Sequence, residues 1–381
     1  MKKICLITSS ELIVHFFLIE PLRVLSREYD VSLIVKTDNS GFLDDYGLNV
    51  RVIPVDIERE IRPLADLRAL FRLIMLFRRE KFAAVHSVAP KAGLLTMLAA
   101  VLTGRPVRIH TMIGQVWATR VGLPRFILKN IDRLTATLAT HLLADSQSQA
   151  DFVLAEGVVK AGKIQVLGDG SIAGVDVRRF KADMQARLAI RAELDTPEQA
   201  KVVLFIGRLK RDKGVLDLAR AFAMLDDPQK KICLWIVGPD EDGLGDEIES
   251  ICGKQRDRLH LHGYTRHAER YMAAADVFCL PSYREGFGVT TLEAAACGLP
   301  SVGSRIYGII DAIQEGKTGL LNEAGHVQDL ADNLQQLLTD EALRKQLGEA
   351  AYQRVLRDFS CQRVTGLWLD FYQSLLKPEA E

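Results

Sequence analysis

The chain has 381 residues, with 49 Lys and Arg against 49 Asp and Glu, and 48% of its residues are apolar. That length is too great for one ordinary core and suits two domains of about 150–200 residues each. The composition excludes a disordered or fibrous chain, and the zero net charge argues against a dedicated nucleic-acid binder. The zero is a sum, however. Residues 1–180 carry +6 (24 basic, 18 acidic) and residues 181–381 carry −6 (25 basic, 31 acidic).

Signals for export or membrane insertion are weak. The first apolar run ends at Thr8–Ser10, which is too short for a signal peptide and is more typical of a first β-strand. No stretch approaches the roughly 18–20 uninterrupted apolar residues of a membrane span. The six cysteines show neither a CxxC pair nor a metal-ligand spacing. We therefore expect reduced core cysteines in a cytoplasmic protein without a metal site.

The first half of the chain alternates β-like and helix-like runs. This alternation predicts a parallel sheet with right-handed crossovers. The predicted strands are residues 3–8, 31–35, 50–55, 83–88, 107–112 and 142–145, and the longest predicted helices are 64–81 and 92–104.

The second half repeats this rhythm after a charged, Pro-containing stretch near residues 178–200. Its predicted strands are 201–209, 231–238, 258–263, 275–282, 300–304 and 318–321. We therefore predict an α/β protein with a domain at 1–180, a second domain at 181–360, and a helical tail at 361–381. Ligands of such sheets bind at the carboxyl ends of the strands, beside helix N-termini.

The helix predicted at 64–81 is both apolar and basic. One set of apolar residues follows i, i+3, i+4, i+7 and i+10, and it is predicted to face the core: Leu67, Leu70, Phe71, Ile74 and Phe77. Arg68, Arg72 and Arg79 fall together on another face. Two interpretations fit this pattern equally well. The arginines are solvated side chains on an ordinary amphipathic helix, or the first domain rests on an anionic membrane. In the second case each basic residue contributes on the order of 1 kcal/mol to the free energy of membrane binding.

The segment GRLKRDKG combines features of a phosphate site. Gly207 and Arg208 close a predicted strand, and Lys213 and Gly214 open the following helix. A glycine at a strand end lets the backbone approach a ligand. Arg and Lys on one loop can both meet phosphate oxygens.

A second cluster runs from Glu285 to Glu293. Gly286 and Gly288 leave backbone N–H groups open at a helix start, which suits a diphosphate or sugar hydroxyls. Glu293, in the first turns of that helix, can accept two hydroxyl hydrogen bonds, as a ribose diol would offer.

Together, GRLKRDKG, IVGPD, HGY, PSYREGFGVTTLEAAACGLPSVGS and GKTGLL resemble the donor-binding half of retaining glycosyltransferases of family 4. The resemblance extends over essentially the whole chain. It implies the GT-B fold, in which two doubly wound Rossmann-like domains face each other across a crevice. It also implies that the tail at 361–381 packs back on the first domain, and that no metal or other cofactor takes part.

The resemblance assigns roles to individual residues. The matches to Arg208 and Lys213 hold the donor diphosphate, the match to Glu285 sits by the donor sugar, and the match to Glu293 binds the ribose. The backbone of Gly286, Phe287, Gly288 and Val289 contacts sugar and phosphate, Gly207 belongs to the same donor site, and Gly263, Tyr264 and Thr265 lie by the base. We count Arg208 and Lys213 as catalytic because they stabilise the departing diphosphate, and Glu285 because it positions the donor sugar and acts electrostatically.

The first domain departs from the family at one position. Many members carry a His in a Thr-x-His-Gly element, where this chain has Ile113. His110 lies three residues earlier and is either an alternative catalytic residue or a structural one. The resemblance places the acceptor-side residues at His86, Lys91, Gln115, Gly170 and Ser171.

We therefore predict a retaining transferase that uses a nucleotide sugar, with UDP as the expected nucleotide and an N-acetylhexosamine as the favoured sugar. The expected acceptor is a polyprenyl-diphosphate-linked saccharide of bacterial capsule or O-antigen assembly. The expected location is the inner face of the cell membrane, contacted through Arg68, Arg72 and Arg79. One alternative is a sugar-nucleotide epimerase of the same fold, and another is a non-enzymatic membrane-binding or nucleic-acid-binding module.

Overall fold

The computed structural model describes residues 1–58, 62–229 and 231–376. The chain divides into two compact units, residues 1–174 together with the chain from Cys361, and Val175–Ser360. The junction at 180/181 expected from the sequence is a few residues too late. Val175 and Phe180 are buried in the second core, and the Val175 N–H donates to the Phe359 carbonyl at 2.8 Å. Residues 175–180 therefore belong to the second unit.

The first unit contains a seven-stranded, wholly parallel sheet in the order β3-β2-β1-β4-β5-β6-β7. A π-helical segment, Val14–Leu18, joins α1 to α2. The elements are β1 Lys3–Ile7, α1 Glu11–Ile13, α2 Ile19–Leu25, β2 Asp30–Val35, β3 Arg51–Pro54, α3 Pro63–Glu80, β4 Ala84–Val88, α4 Pro90–Leu102, β5 Val107–Met112, α5 Gly122–Leu138, β6 His141–Ala144, α6 Gln147–Ala155 and β7 Ile164–Val166.

The second unit contains a six-stranded parallel sheet in the order β10-β9-β8-β11-β12-β13. Its elements are α7 Met184–Glu193, β8 Lys201–Ile206, α8 Val215–Met224, β9 Ile232–Val237, α9 Gly245–Cys252, β10 Leu259–His262, α10 Ala268–Ala274, β11 Val277–Leu280, α11 Val289–Ala296, β12 Ser301–Ser304, α12 Ile309–Ala312, β13 Gly319–Asn322, α13 Val327–Thr339 and α14 Glu341–Arg354. Every strand predicted from the sequence is present in one of the two sheets.

The last helix, α15 (Cys361–Leu375), belongs to the first unit. Trp368 and Tyr372 are buried in the core that α2 and the sheet form. The Trp368 indole donates to the Ile172 carbonyl at 3.2 Å. Residues 377–381 of the predicted tail lie outside the described residues.

The predicted core face of α3 is right for Phe77, Leu70 and Ile74, which are buried or pack against the core, and wrong for Leu67 and Phe71. The structure buries Ala69, Leu73 and Phe77, whereas Leu67 and Phe71 are each 64% exposed. The helix carries two overlapping apolar patterns, and the buried one shares its face with the carboxylate of Glu80. That carboxylate accepts from Arg51 at 2.9 Å and from Lys3 at 3.2 Å. Phe77 and Glu80 thus lie on the face of α3 that is toward the sheet.

Among the described residues, none of the helices combines the length and apolar character that crossing a membrane requires. Five of the six cysteines are buried, and the structure shows all six as free thiols.

Candidate active site

Glycines allow the loop between β8 and α8 to pack directly against its neighbours. A Cβ on Gly214 would lie 1.9 Å from the Pro281 carbonyl oxygen, and a Cβ on Gly238 would lie 1.9 Å from the Gly207 oxygen. Gly214 also has φ +69°, which side-chain-bearing residues rarely adopt. The segment GRLKRDKG is therefore packed directly between the ends of β9 and β11.

Residues of the two predicted clusters meet because β8 and β11 are neighbours in the sheet. The Lys213 ammonium lies 2.6 Å from Glu285 Oε1, and the Ser282 hydroxyl donates to the same oxygen at 2.8 Å. The side chains of Lys213 and Glu285 are mostly buried. A close, shielded ion pair thus stands at the carboxyl ends of two adjacent parallel strands, where such sheets bind ligands.

A second set of bonds ties the same two loops together. The Tyr283 N–H donates to the Asp212 carbonyl at 2.9 Å, and the Arg284 guanidinium lies 3.1 Å from the Asp212 carboxylate. The loop after β11 is therefore fixed on the loop after β8 by its backbone as well as by its charges.

Arg208 lies on the same loop as Lys213 but has a different partner. Its guanidinium is 3.2 Å from the Glu241 carboxylate, which Lys210 also approaches at 3.3 Å. Arg208 is only half-buried, so its guanidinium can reach an anionic ligand by releasing Glu241. Exposed ion pairs of this kind contribute little to stability, about 0–1 kcal/mol.

The segment after Glu285 ends in a helix start. Gly288 has φ +87° and stands at the N-cap of α11, and its Cβ would come within 3.3 Å of Leu280. A Cβ on Gly308 would lie 2.6 Å from the Gly286 carbonyl oxygen. The Phe287 side chain is buried against Phe359, so only its backbone can meet a ligand. Val289 is the first residue of α11, whose N-terminus favours an anion.

Glu293 projects from the second turn of α11 with an unusual proton affinity. Burial raises the pKa of its carboxyl to about 7, and Arg179 opposes this shift. In the part of the chain that the structure describes, no hydrogen-bond donor faces this carboxylate. It is therefore free to accept hydrogen bonds from ligand hydroxyls.

The predicted base-side residues lie apart from these contacts. Gly263, Tyr264 and Thr265 follow β10, and the Tyr264 side chain is exposed. The Thr265 hydroxyl oxygen accepts the His267 N–H at 3.0 Å, which fixes the turn. Among the described residues, none of the three makes a side-chain contact with Lys213 or Glu285, so their place beside a base stays a prediction.

His86 does not face an acceptor, contrary to the sequence-based expectation. Its Nδ1 bonds with the Tyr372 hydroxyl at 2.8 Å and its Nε2 with the Thr111 hydroxyl at 2.7 Å. The ring stacks on Trp368 and has no exposed surface. Burial lowers the pKa of His86 to about 3. Both nitrogens are used inside the first unit, so His86 is a structural residue that holds α15.

His110 is also enclosed, and the structure supports its structural interpretation over the catalytic one. Its Nδ1 bonds with the Ser87 hydroxyl at 2.9 Å, and burial lowers the pKa of the ring to about 4. The ring fills the space above Gly93 so closely that a Cβ there would lie 2.4 Å from it. Gly93 and His110 therefore fit together as a packing pair between α4 and β5.

The other predicted acceptor-side residues each contact a different part of the first unit. Lys91 lies 2.6 Å from the Asp66 carboxylate, at the start of α4. Gln115 is buried and accepts from Gln149 at 3.3 Å. Gly170 and Ser171 both have positive φ, and the Ser171 N–H donates to the Asp145 carbonyl at 2.6 Å. They form one tight turn beside β6, and a contact with an acceptor stays a prediction.

Sequence reasoning overlooked two residues that hold the site. Ser282 shares Oε1 of Glu285 with Lys213, and Glu241 holds Arg208. Each follows a buried strand, β11 or β9, at the carboxyl edge that also carries the predicted cluster. That position was the available signal. Among the described residues, no group of three His, Cys, Asp or Glu side chains is arranged to hold a metal ion.

Two family descriptions match the chain. Residues 18–170 match the glycosyl transferase 4-like domain, and residues 186–354 match the glycosyl transferases group 1. The capsular polysaccharide biosynthesis glycosyltransferase CapM of Staphylococcus aureus is 31% identical over 353 residues, which are 92% of this chain and 92% of that protein. The chain belongs to glycosyltransferase family 4. It is therefore an enzyme, and the alternative of a non-enzymatic binding module is removed.

Further relatives agree with this membership. The N,N'-diacetylbacillosaminyl-diphospho-undecaprenol alpha-1,3-N-acetylgalactosaminyltransferase of Campylobacter jejuni is 27% identical over 92% of this chain and 93% of that protein. Anabaena Alr3699/HepE, solved in complex with UDP and glucose, matches with a TM-score of 0.81 and 18% identity over 98% of this chain and 100% of that one. At this identity the likeness shows the fold, which is GT-B, as the family-4 glycosyltransferase resemblance implied.

Proposed function

We propose that this glycosyltransferase moves a sugar, with retention of configuration, from a UDP-sugar to a saccharide linked to a polyprenyl diphosphate. The observation that carries the proposal is the Lys213–Glu285 ion pair, 2.6 Å long, beside the N-terminus of α11. A cation, a carboxylate and a helix start at one strand edge match the parts of a nucleotide sugar: phosphates, sugar hydroxyls and a departing negative charge.

The reaction follows from this arrangement. The bond between the anomeric carbon and the donor phosphate breaks, and the diphosphate leaves with the electron pair. Lys213, Arg208 and the α11 amides stabilise the charge that develops there. The acceptor oxygen bonds the same face of the anomeric carbon and passes its proton to the departing phosphate. Glu285 orients the donor sugar, and no protein nucleophile is required.

The donor nucleotide and the acceptor are inferred from related proteins. Alr3699/HepE is described in complex with UDP and with UDP-glucose. The Campylobacter relative is named for transfer of N-acetylgalactosamine to a diphospho-undecaprenol-linked sugar, and an Escherichia coli relative for transfer of galactose to a similar acceptor. These names support a UDP-sugar donor, with an N-acetylhexosamine favoured, and a lipid-linked acceptor in surface-polysaccharide assembly.

A lipid-linked acceptor would bring the enzyme to the inner face of the cell membrane. We assign Arg68, Arg72 and Arg79 of α3 to that contact. All three guanidiniums are exposed, and Arg68 and Arg72 make no ion pair in the part of the chain that the structure describes. Arg79 lies 2.9 Å from the Glu80 carboxylate. Arginines on an exposed face are attracted to anionic lipid headgroups.

Turnover of Lys213→Ala and Arg208→Ala tests the donor site. Each variant should lose about 10²-fold or more in transfer of labelled sugar from the UDP-sugar to a soluble acceptor analogue, because a group that stabilises the leaving charge is gone. Arg211→Ala is the matched control. Arg211 lies between the two on the same loop, but it is exposed, and among the described residues its guanidinium pairs only with Glu247 at the surface. Near-normal turnover of Lys213→Ala would overturn the proposal.

The epimerase alternative is tested with the donor alone. A transferase leaves the configuration of each sugar carbon unchanged when no acceptor is present. An epimerised UDP-sugar after incubation with the wild-type enzyme would favour the alternative and contradict the transferase.

A further inference from the structure

The outer side of α3 carries an apolar row that no described residue of the first unit covers. Leu64 is 75% exposed, Leu67 and Phe71 are each 64% exposed, and Met75 is 50% exposed. Their spacing of three, four and four residues places them on one side of the helix, opposite the buried Ala69, Leu73 and Phe77. We call these four residues the α3 outer row. A helix that only faces water carries polar residues on that side.

Positive charge lies along one flank and at the C-terminal end of the row. Arg68 and Arg72 border it, and Arg78 lies within it at the C-terminal end. All three are exposed, and none of them makes an ion pair in the described part of the chain. The acidic side chains of α3 are both used elsewhere. Asp66 pairs with Lys91, and Glu80 is buried among its own cations. The outer face of α3 thus combines large apolar side chains with unpaired guanidiniums.

A second apolar group begins α5. Val121, Leu123 and Phe126 are 84%, 68% and 66% exposed, and exposed Arg120 precedes them. Both α3 and α5 pack against α4, so all three helices cover the same side of the sheet. Each follows a parallel strand by a right-handed crossover, so α3 and α5 both begin at the carboxyl edge of the sheet.

The mixture of apolar side chains and arginines favours one binding partner for this face over another. A second copy of the chain in a symmetric dimer would place the same patch against itself, so that the unpaired arginines of both copies would share one interface. Like charges brought together at an interface are unfavourable. An anionic bilayer has no such conflict, because the headgroups attract guanidiniums while the acyl boundary takes up Leu, Phe and Met side chains.

We propose that the α3 outer row enters the interfacial region of an anionic bilayer, with Arg68, Arg72 and Arg78 at the headgroups. This inference rests on the proposed function, whose lipid-linked acceptor brings the enzyme to a membrane, and it extends that function from charge attraction to insertion. The apolar side chains then reach about 5–10 Å into the headgroup and acyl boundary. The start of α5 rests on the same surface.

Salt separates insertion from simple attraction. At about 1 M salt the screening length is about 3 Å, and attraction between exposed charges is largely lost. We expect the wild-type enzyme to keep measurable co-sedimentation with phosphatidylglycerol-containing vesicles at that salt. The Leu67→Ser, Phe71→Ser double variant should bind at least tenfold more weakly there. Wild-type binding that disappears at high salt would overturn the inference.

The control is a matched pair in the second unit. Met184 and Leu188 on α7 are also four residues apart and are 67% and 52% exposed. The Met184→Ser, Leu188→Ser variant should bind vesicles as the wild type does. An equal loss in both double variants would mean that general surface apolarity, and not the α3 outer row, controls binding, and it would also refute the proposal. Thermal melting of both double variants verifies that these exposed sites leave the fold intact.

A fluorescent reporter measures insertion directly. The three native tryptophans, Trp117, Trp235 and Trp368, are each at most 1% exposed, so their emission should change little on vesicle binding. A Phe71→Trp variant should show blue-shifted emission on anionic vesicles, with quenching by brominated acyl chains. A Leu188→Trp variant should show neither. Unchanged emission of Phe71→Trp on saturating vesicles would contradict insertion.

The inference and the proposed function can be refuted by different results. Sugar transfer to a soluble acceptor analogue does not need the bilayer, so the Leu67→Ser, Phe71→Ser variant should retain wild-type turnover there. Active enzyme without insertion would refute only the inference. Salt-resistant insertion by a protein that transfers no sugar from any UDP-sugar would refute only the proposed function.

Discussion

Glu293 shows how burial prepares one residue for its proposed partner. Its pKa is raised to about 7, so at pH 6 most molecules carry the neutral acid. The neutral acid accepts hydrogen bonds from a ribose diol less well than the carboxylate does. Nucleotide binding should therefore release a proton and strengthen as the pH rises through 7.

Calorimetric titration with UDP at pH 6 and pH 8 measures this linkage. The dissociation constant of the wild type should fall by about 10-fold more than that of Glu293→Gln, because about one pKa unit of ionisation is recovered on each side of 7. The variant corrects for ionisation of the UDP phosphate itself. Identical pH dependence in both proteins would exclude Glu293 from the ribose contact.

Asp145 in the first unit is a second buried acid, and its effect on the free energy of unfolding depends on pH. Its Oδ1 has no hydrogen-bond partner within the described residues, and burial raises its pKa to about 7, opposed by the Ile172 N–H. Between pH 4 and pH 7 the folded state keeps a proton that the unfolded state has lost. The free energy of unfolding therefore decreases as the pH rises across this window and stays level above it.

Replacing Asp145 by Asn removes this dependence. Relative to wild type, Asp145→Asn should gain stability between pH 5 and pH 8, by up to a few kcal/mol if the chain relaxes little. Asp132→Asn provides the comparison, because Asp132 has a smaller shift, to about 6, and accepts from the Trp117 indole at 2.8 Å. Denaturant unfolding at the two pH values measures both. A stability difference that does not change with pH would argue against a protonated Asp145.

Gly214 links backbone geometry to the donor loop. Gly214→Ala should destabilise the protein by more than about 2 kcal/mol, because the new Cβ would collide with the Pro281 carbonyl and the φ of +69° is strained. Gly243→Ala is the control, since Gly243 has φ +67° with open space around it and should cost about 1 kcal/mol. Equal melting temperatures of the two variants would mean that the loop moves freely away from β11.

At the scale of elements, the parallel sheets and all their strands except β7 were accessible from the sequence, whereas the order of the strands and the full buried face of α3 were not. The alternation of apolar runs specified all the predicted strands. On α3, however, Leu67–Phe71 and Leu73–Phe77 both satisfy helical periodicity, and both sets are apolar. The buried set packs into a core formed by distant segments, and it shares its face with Glu80, which bonds with Lys3 and Arg51. Periodicity within a helix cannot show such a partner.

The donor loops show the opposite case. GRLKRDKG and the segment from Glu285 were recognised separately, and the sheet order β8–β11 then places Lys213 on Glu285. His86 and His110 failed as site residues for a related reason. Their positions at strand ends were visible, but the helix α15 that covers His86 and the contact of Gly93 with His110 depend on tertiary packing.

The final helix α15 should contribute strongly to the first unit. Trp368 stacks on the His86 ring with centroids 5.0 Å apart, and Tyr372 supplies the hydrogen bond to His86. Trp368→Ala should cost about 3–5 kcal/mol. Tyr372→Phe keeps the ring and should cost about 1–3 kcal/mol, because a buried imidazole nitrogen loses its partner. Denaturant unfolding measures both, and a negligible cost for Trp368→Ala would mean that α15 is dispensable.

At the scale of the whole molecule, the basic first half carries the proposed membrane face and the acidic second half carries the proposed donor site. Residues 61–131 hold 12 basic and only 2 acidic residues, and the proposed membrane face lies within them. The second half has an acidic excess but is proposed to bind an anionic donor. It does so through a few local groups, Lys213, Arg208 and the start of α11. The net charge of each half therefore predicts the proposed membrane contact, but it does not predict where the anionic donor binds.

Because all the donor groups lie in Val175–Ser360, bound nucleotide should protect that unit selectively. A ligand at 100 times its dissociation constant stabilises the state that binds it by about 2.7 kcal/mol. In hydrogen exchange of the full chain, amides of β8, α8 and α11 that exchange by opening of the second unit should slow by up to about 100-fold with saturating UDP. Lys213→Ala should lose this effect at the same UDP concentration. Stronger protection of β1, β4 and α15 than of β8 and α11 would place the nucleotide in the first unit and overturn the donor-site assignment.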